Sequence, residues 1–100
     1  MNDARVRLVS GVVWLPLDDT MHAAYSPLSG ETLLLNGTAI WVLERLAEPG
    51  WHRPDDVLHE AALEAERPEG EVRVSLGNIW ATLQDAGLVR REPPSAPLNG

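Results

Sequence analysis

Apolar residues follow two rhythms along this chain. Between Val12 and Leu35 they fall in short runs divided by turn residues; between Ala39 and Ala86 they recur at spacings of three and four. The first rhythm predicts strands and the second predicts helices, each laying one side against a core. Arg5 to Ser10 alternates basic and apolar in its first half, as an exposed edge strand does, until Ser10-Gly11 interrupts it. Val12 to Leu17 is a β-rich run containing Trp14, and Pro16 places it at a sheet edge or marks a strand end, because proline cannot donate to a ladder. Asp18-Asp19-Thr20 is a polar turn, after which Met21 to Tyr25 returns. Ser26-Pro27-Leu28-Ser29-Gly30 has proline early and glycine late, which is tight-turn chemistry, and Glu31 to Leu35 comes back as the next strand. Strands in series joined by short turns make an antiparallel meander.

At Asn36 the geometry changes. Its side-chain oxygen suits it to cap a helix by accepting a first-turn amide, and Gly37 adds a flexible joint. Ile40, Leu43 and Ala47, with Ala39, Val42 and Leu46, form one broad stripe that ends at Pro49-Gly50. Trp51-His52-Arg53-Pro54 reads as a linker. Pro54-Asp55-Asp56 starts a second helix, since proline fits the first turn and carboxylates favour the positive end of the helix dipole. Val57, Leu58, Ala61, Ala62 and Ala65 are its apolar side, and Arg67-Pro68-Glu69-Gly70 ends it. A third helix is predicted from about Val72 to Ala86, with Val72, Leu76, Ile79, Leu83 and Ala86 on one stripe and Trp80 on its flank. Gly87 caps it, and Leu88-Val89 tucks back.

The expected class is α+β: a three-stranded antiparallel β-meander followed by a three-helix, winged-helix-like bundle. One hundred residues form one domain, large enough for a single core without staples. That domain is expected to cover residues 1–89, with residues 1–4 loose. Residues 90–100 are polar and rich in proline (Pro93, Pro94, Pro97), and are expected to be a disordered tail.

Charge narrows the function classes. The net charge is −7, every basic side chain is arginine, and the acids concentrate between Glu44 and Glu71. Such a surface repels phosphate backbones, so no nucleic-acid partner is expected; it keeps a small domain solvated or docks a basic partner. Cysteine is absent, which excludes disulfides, thiolate metal sites and cysteine nucleophiles, and fits a cytoplasmic location. No signal peptide and no run long enough to span a membrane is seen, so no membrane partner is expected.

Catalytic chemistry finds no foothold. His22, His52 and His59 have no metal-ligand spacing. Asp18-Asp19 and Asp55-Asp56 are adjacent pairs whose side chains diverge, so they read as a turn and a helix start rather than a carboxylate dyad. Ser10, Ser26, Ser29 and Ser75 lack a nucleophile-elbow context, and phosphate-binding glycine motifs are missing. Neither an enzyme nor a cofactor is expected.

Two groups of motifs carry a resemblance. The first is Leu35-Asn36, then Ala39 and Val42-Leu43, at the junction of the last strand and first helix. The second is Val72, Leu76, Ile79-Trp80, Leu83 and Gly87-Leu88-Val89, in the last helix. In this order, across residues ~12–89 and with plausible loop lengths, they resemble the PqqD-like family, peptide chaperones also called RiPP recognition elements. The segments Leu17 to Pro27 and Ser29 to Thr32 look most like the PqqD-type chaperones of HPr-related (HPr-rel-A) gene systems. The chain departs from the family at Ser75, where an acid is common, and at Ile40-Trp41, which stands two residues earlier than the family's pair.

The resemblance implies a non-catalytic adaptor. In the family, the leader of a ribosomally made precursor peptide adds as a strand beside the third strand, packs against the last helix, and is presented to a modifying enzyme on a separate chain. Carried over, the edge is Glu31, Thr32, Leu33, Leu34 and Leu35. The helix wall is drawn from Val72, Arg73, Leu76, Ile79, Trp80 and Leu83, with Arg73 and Trp80 on the same side of the stripe and so able to line the groove. An unpaired edge suits this role physically, because an extended peptide satisfies its amides and carbonyls. The same edge is a route to a homodimer. The rival readings are a winged-helix DNA-binding domain, for which the last helix offers only Arg73 before Arg90-Arg91, and a scaffold subunit that docks an enzyme without binding peptide.

Overall fold

Three strands and three helices follow one another in the order that the two apolar rhythms predict. The computed structural model describes residues 5–92; the expectations for residues 1–4 and for the tail beyond Glu92 lie outside them. After a short first strand, β1 (Val6–Leu8), come β2 (Val13–Pro16), β3 (Met21–Tyr25) and β4 (Thr32–Asn36), then α1 (Gly37–Leu46), α2 (Pro54–Ala65), α3 (Glu69–Asp85) and β5 (Val89–Arg91). β2, β3 and β4 form the antiparallel meander, with Leu15 opposite Ala23 and Ala23 opposite Leu34. The architecture is α+β, a meander followed by a helical bundle.

One face of the meander rests on the bundle. Ala24 and Leu35 on that face are buried, together with Ala39, Ile40, Val42, Leu43 and Leu46 of α1, Val57 and Leu58 of α2, and Leu76 and Leu83 of α3. Asn36 caps α1 as its position predicts, its side-chain oxygen accepting the Ala39 amide at 3.0 Å. The helical stripes are narrower than expected at their C-terminal ends, where Ala47 and Ala65 are exposed. The third helix begins three residues before Val72. Pro68 stands at its N-cap, and Glu69 and Glu71 occupy the first turn, where carboxylates meet the free amides of the helix start.

The chain ends are organised differently from the expectation. Arg5 to Ser10 does not supply an edge to the meander: β1 pairs antiparallel with β5, Val6 opposite Arg91 and Leu8 opposite Val89. On its other side Val6 exchanges two backbone hydrogen bonds with His52, at 2.8 and 2.7 Å. Arg90 and Arg91 are therefore strand residues rather than the start of a tail, and the ordered domain runs past residue 89. The Glu92 amide donates to the Arg5 carbonyl at 2.6 Å, and the Arg5 guanidinium grips the Glu92 carboxylate with two bonds of 3.0 and 2.7 Å. A polar sequence here is compatible with a strand because Arg7, Arg90 and Arg91 all face solvent while Val6 and Val89 face the core.

Candidate functional site

β4 is the last strand of its sheet, so among the described residues one side of its backbone has no strand partner. Backbone alternation decides which groups face that side. The Ser26 amide donates to the Glu31 carbonyl at 3.0 Å, which makes Ser26–Glu31 a hydrogen-bonded pair. Such pairs recur at every second residue of an antiparallel ladder. Leu33 and Leu35 therefore bond to β3, and the amides and carbonyls of Thr32 and Leu34 point away from it. The opposite margin of the sheet is less receptive. Leu17 donates to the Met21 carbonyl at 2.9 Å, so Leu15 also faces β3, while Trp14 and Pro16 face out. Pro16 has no amide to offer, a common way of blunting an edge.

Beside β4 lies a cleft of about 210 Å³. Leu34 and Leu35 bound it on the strand side, Asn36 and Ala39 at the start of α1, and Asn78, Ile79, Thr82 and Leu83 on α3. No lining residue carries a charge. The Thr82 hydroxyl donates to the Asn78 carbonyl at 3.0 Å, one turn back, so its hydrogen is already engaged. Along the same side of α3 lies a further hollow of about 240 Å³, where Thr38 of α1 meets Val72, Ser75 and Leu76, with Ala61, Ala65, Arg67 and Glu71 completing it.

The predicted site residues divide into three groups. Glu31 and Thr32 are exposed where β4 begins; Leu33 is half-buried toward the bundle; Leu34 is 60% exposed and Leu35 is 4% exposed. On α3, Ile79 and Leu83 line the cleft beside β4, Leu83 from the buried stripe, and Val72 lines the neighbouring hollow. Arg73 and Trp80 do not join them. They line a separate hollow of about 140 Å³ between α2 and α3, with Pro54, Asp55, Leu58, Leu76 and Gly77. The Arg73 guanidinium lies 3.9 Å from the Asp55 carboxylate. The two residues share a side of the stripe, as their spacing requires, but that side faces α2.

Asn36, Ala39, Asn78 and Thr82 are lining residues that sequence reasoning did not assign to the site. The signal was present: Asn78 and Thr82 are one turn apart and adjoin Ile79 and Leu83, so they extend the stripe on the flank opposite Trp80.

The other tryptophans serve elsewhere. Trp14 packs half-buried against the core; Trp41 carries the Arg45 guanidinium 5.3 Å from its ring centre and points its indole N–H at Glu64; Trp51 is covered by Arg7 at 5.4 Å. A larger cavity, about 480 Å³, lies between the end of α1 and the start of α2. Its walls bring Arg45 and Glu60 to 3.5 Å and include Glu44, Glu48 and Asp56. That mixture of opposite charges aims at no single ligand chemistry. Among the described residues, no group of three or more His, Asp or Glu side chains is placed to hold a metal ion, and no helix is long and apolar enough to cross a membrane.

Comparison of the chain with protein-family models, with curated proteins and with solved structures finds no match.

Proposed function

We propose that this protein is a non-catalytic adaptor that captures an extended peptide by strand addition along β4 and presents it to a modifying enzyme on a separate chain. The observation that carries the reading is the pairing of a vacant strand edge with an uncharged cleft. Thr32 and Leu34 turn their backbone groups outward, and Ile79 and Leu83 of α3 line the cleft with Leu34 and Leu35. A peptide strand there would satisfy the edge in a sequence-tolerant way. Its alternate side chains would fall into the cleft, where size and polarity select them. The resemblance to PqqD-like chaperones agrees with the same edge and the same helix and implies that the peptide is a precursor leader; the absence of cysteine fits a cytoplasmic setting.

The DNA-binding alternative finds less support. α3 carries Glu69, Glu71 and Asp85 against a single arginine, Arg73, whose charge is met by Asp55. A recognition helix needs cationic or amide donors free to enter a groove of opposite sign.

The test is a fluorescence-anisotropy titration with a labelled leader from a precursor peptide encoded beside the gene, against a scrambled leader. Saturable, sequence-dependent binding is expected, with shifts of the β4 and α3 amides in a matching NMR titration. Absence of binding to every neighbouring leader would favour the scaffold reading.

A further inference from the structure

The face of the meander that turns away from the helices is apolar. Alternation puts Val13, Tyr25 and Thr32 in one cross-strand row, Leu15, Ala23 and Leu34 in the next, and Leu17, Met21 and Asn36 in the last. Val13, Leu15, Leu17, Tyr25 and Leu34 are each between 42% and 60% exposed. An antiparallel sheet with one solvated face ordinarily alternates apolar-in with polar-out. Here the outward set is as apolar as the inward one, and it amounts to a contiguous surface of a few hundred Å², the size at which exposed apolar area marks an interaction site.

Charge distinguishes the candidate occupants. From Leu8 to Leu43 the chain contains no arginine or lysine, and its only charged residues are Asp18, Asp19 and Glu31. Asp18 and Asp19 form the β2–β3 turn at one end of the face, and Glu31 precedes β4 at the other. Within this stretch the apolar face is thus flanked at both ends by acids and supplied with no base. The Thr20 and Met21 amides at 2.7 and 2.8 Å, and the Thr20 hydroxyl at 3.0 Å, donate to the Asp18 carboxylate and shift it below its ordinary value. A second copy laid face to face would bring acids against acids in either orientation.

We infer that the outer face of the β2–β3–β4 sheet docks a partner protein whose own surface has an apolar centre and a lysine- or arginine-bearing rim. This interface shares Leu34 with the β4 edge and its cleft but is otherwise carried by β2 and β3, away from α3, and does not depend on peptide capture. Its area is below that of standard stable interfaces, about 800 Å² per partner, which suits a transient complex steered by charge.

The test uses two cyclic β-hairpin probes with the same Val-Leu-Tyr face, one rimmed by lysine and one by glutamate. Their outer amides are N-methylated so that neither can add as a strand. Titrated into the ¹⁵N-labelled full chain, the lysine-rimmed hairpin is expected to shift the amides of residues 13–15, 17 and 21–25. It should bind at least tenfold more tightly than the glutamate-rimmed one and weaken as salt rises. Leu15→Asn, an exposed change that spares the core, should remove this binding, and Val13→Thr should weaken it. Asp18→Asn with Glu31→Gln should erase the preference between the two hairpins. Equal binding of both hairpins, shifts confined to the α3 cleft, or no binding of the lysine-rimmed hairpin would overturn the inference. So would a concentration-dependent dimer of the free protein that Leu15→Asn abolishes, which would assign the face to a second copy. Loss of leader binding in Leu15→Asn is not expected, which keeps this test separate from that of the peptide edge.

Discussion

The Ser26 hydroxyl donates to the Gly87 carbonyl at 2.6 Å, joining the β3–β4 turn to the end of α3 across 61 residues of chain. Ser26 is fully buried, and its hydroxyl also accepts the Ser29 amide at 3.2 Å. Nearby, the Ser29 hydroxyl donates to the Ala86 carbonyl at 2.8 Å. The strand wall and the helix wall of the cleft are thus tied together at one end. Ser26→Ala should leave the Gly87 carbonyl unsatisfied in the interior and cost about 1–3 kcal/mol, read from urea denaturation. Gly87→Ala should be destabilising too: its φ is +77°, and an added Cβ would sit 3.0 Å from the Ser26 hydroxyl oxygen.

Proline separates the two sides of β4. Leu34→Pro removes an amide that points away from β3, so the fold should survive while leader affinity falls about tenfold, the loss of one edge hydrogen bond. Leu33→Pro removes an amide that bonds to β3 and should lower the denaturation midpoint markedly. Unchanged leader affinity in a folded Leu34→Pro protein would remove the strand-addition reading.

On α3, neighbouring residues should behave differently. Ile79→Ser should weaken leader capture about tenfold, because it changes the floor of the cleft beside β4. Trp80→Ala should leave capture within about twofold while costing about 2 kcal/mol of stability, since the ring packs against α2. Anisotropy and denaturation measured on the same two variants give both readings.

The Arg5–Glu92 pair predicts an acid response at the chain ends. Its side-chain hydrogen bonds with Arg5, reinforced by the guanidinium charge, hold the Glu92 carboxyl below its ordinary value of 4.5. A carboxylate depressed in the folded state contributes stability that is present above its unfolded value and is lost as pH falls through the folded one. The amides of residues 89–91 should therefore exchange faster as pH drops below about 4.5, after correction for intrinsic exchange rates. Glu92→Gln should flatten that dependence.

What was legible in the sequence was local. The Asn36 cap needs only the Ala39 amide three residues on, and its residue type announces it. The strand at Leu33-Leu34-Leu35 was readable from its length and the Gly30 turn before it. Its facing was not, because three leucines in a row are apolar on both sides and carry no alternation. Trp80 was misplaced for a related reason. Periodicity states that Trp80 and Arg73 share a flank of α3, but whether that flank meets β4 or α2 depends on how the helices cross. β5 was hidden because its partner lies at the other end of the chain: Val6 and Arg91 are neighbours only after the fold closes. The early start of α3 was masked by Pro68 and Gly70, which look like loop chemistry although Pro68, Glu69 and Glu71 together suit a helix N-terminus.

Pro16 also sets a limit on self-assembly. If the vacant β4 edge met its own counterpart on a second copy, two meanders would fuse antiparallel into one continuous sheet. Both outer margins of that sheet would then be β2 strands, each interrupted by a proline that cannot recruit a further strand. Among the described residues such pairing uses up the receptive margin of the meander and closes at a stoichiometry of two, a geometry that pairs once rather than propagating into a fibril.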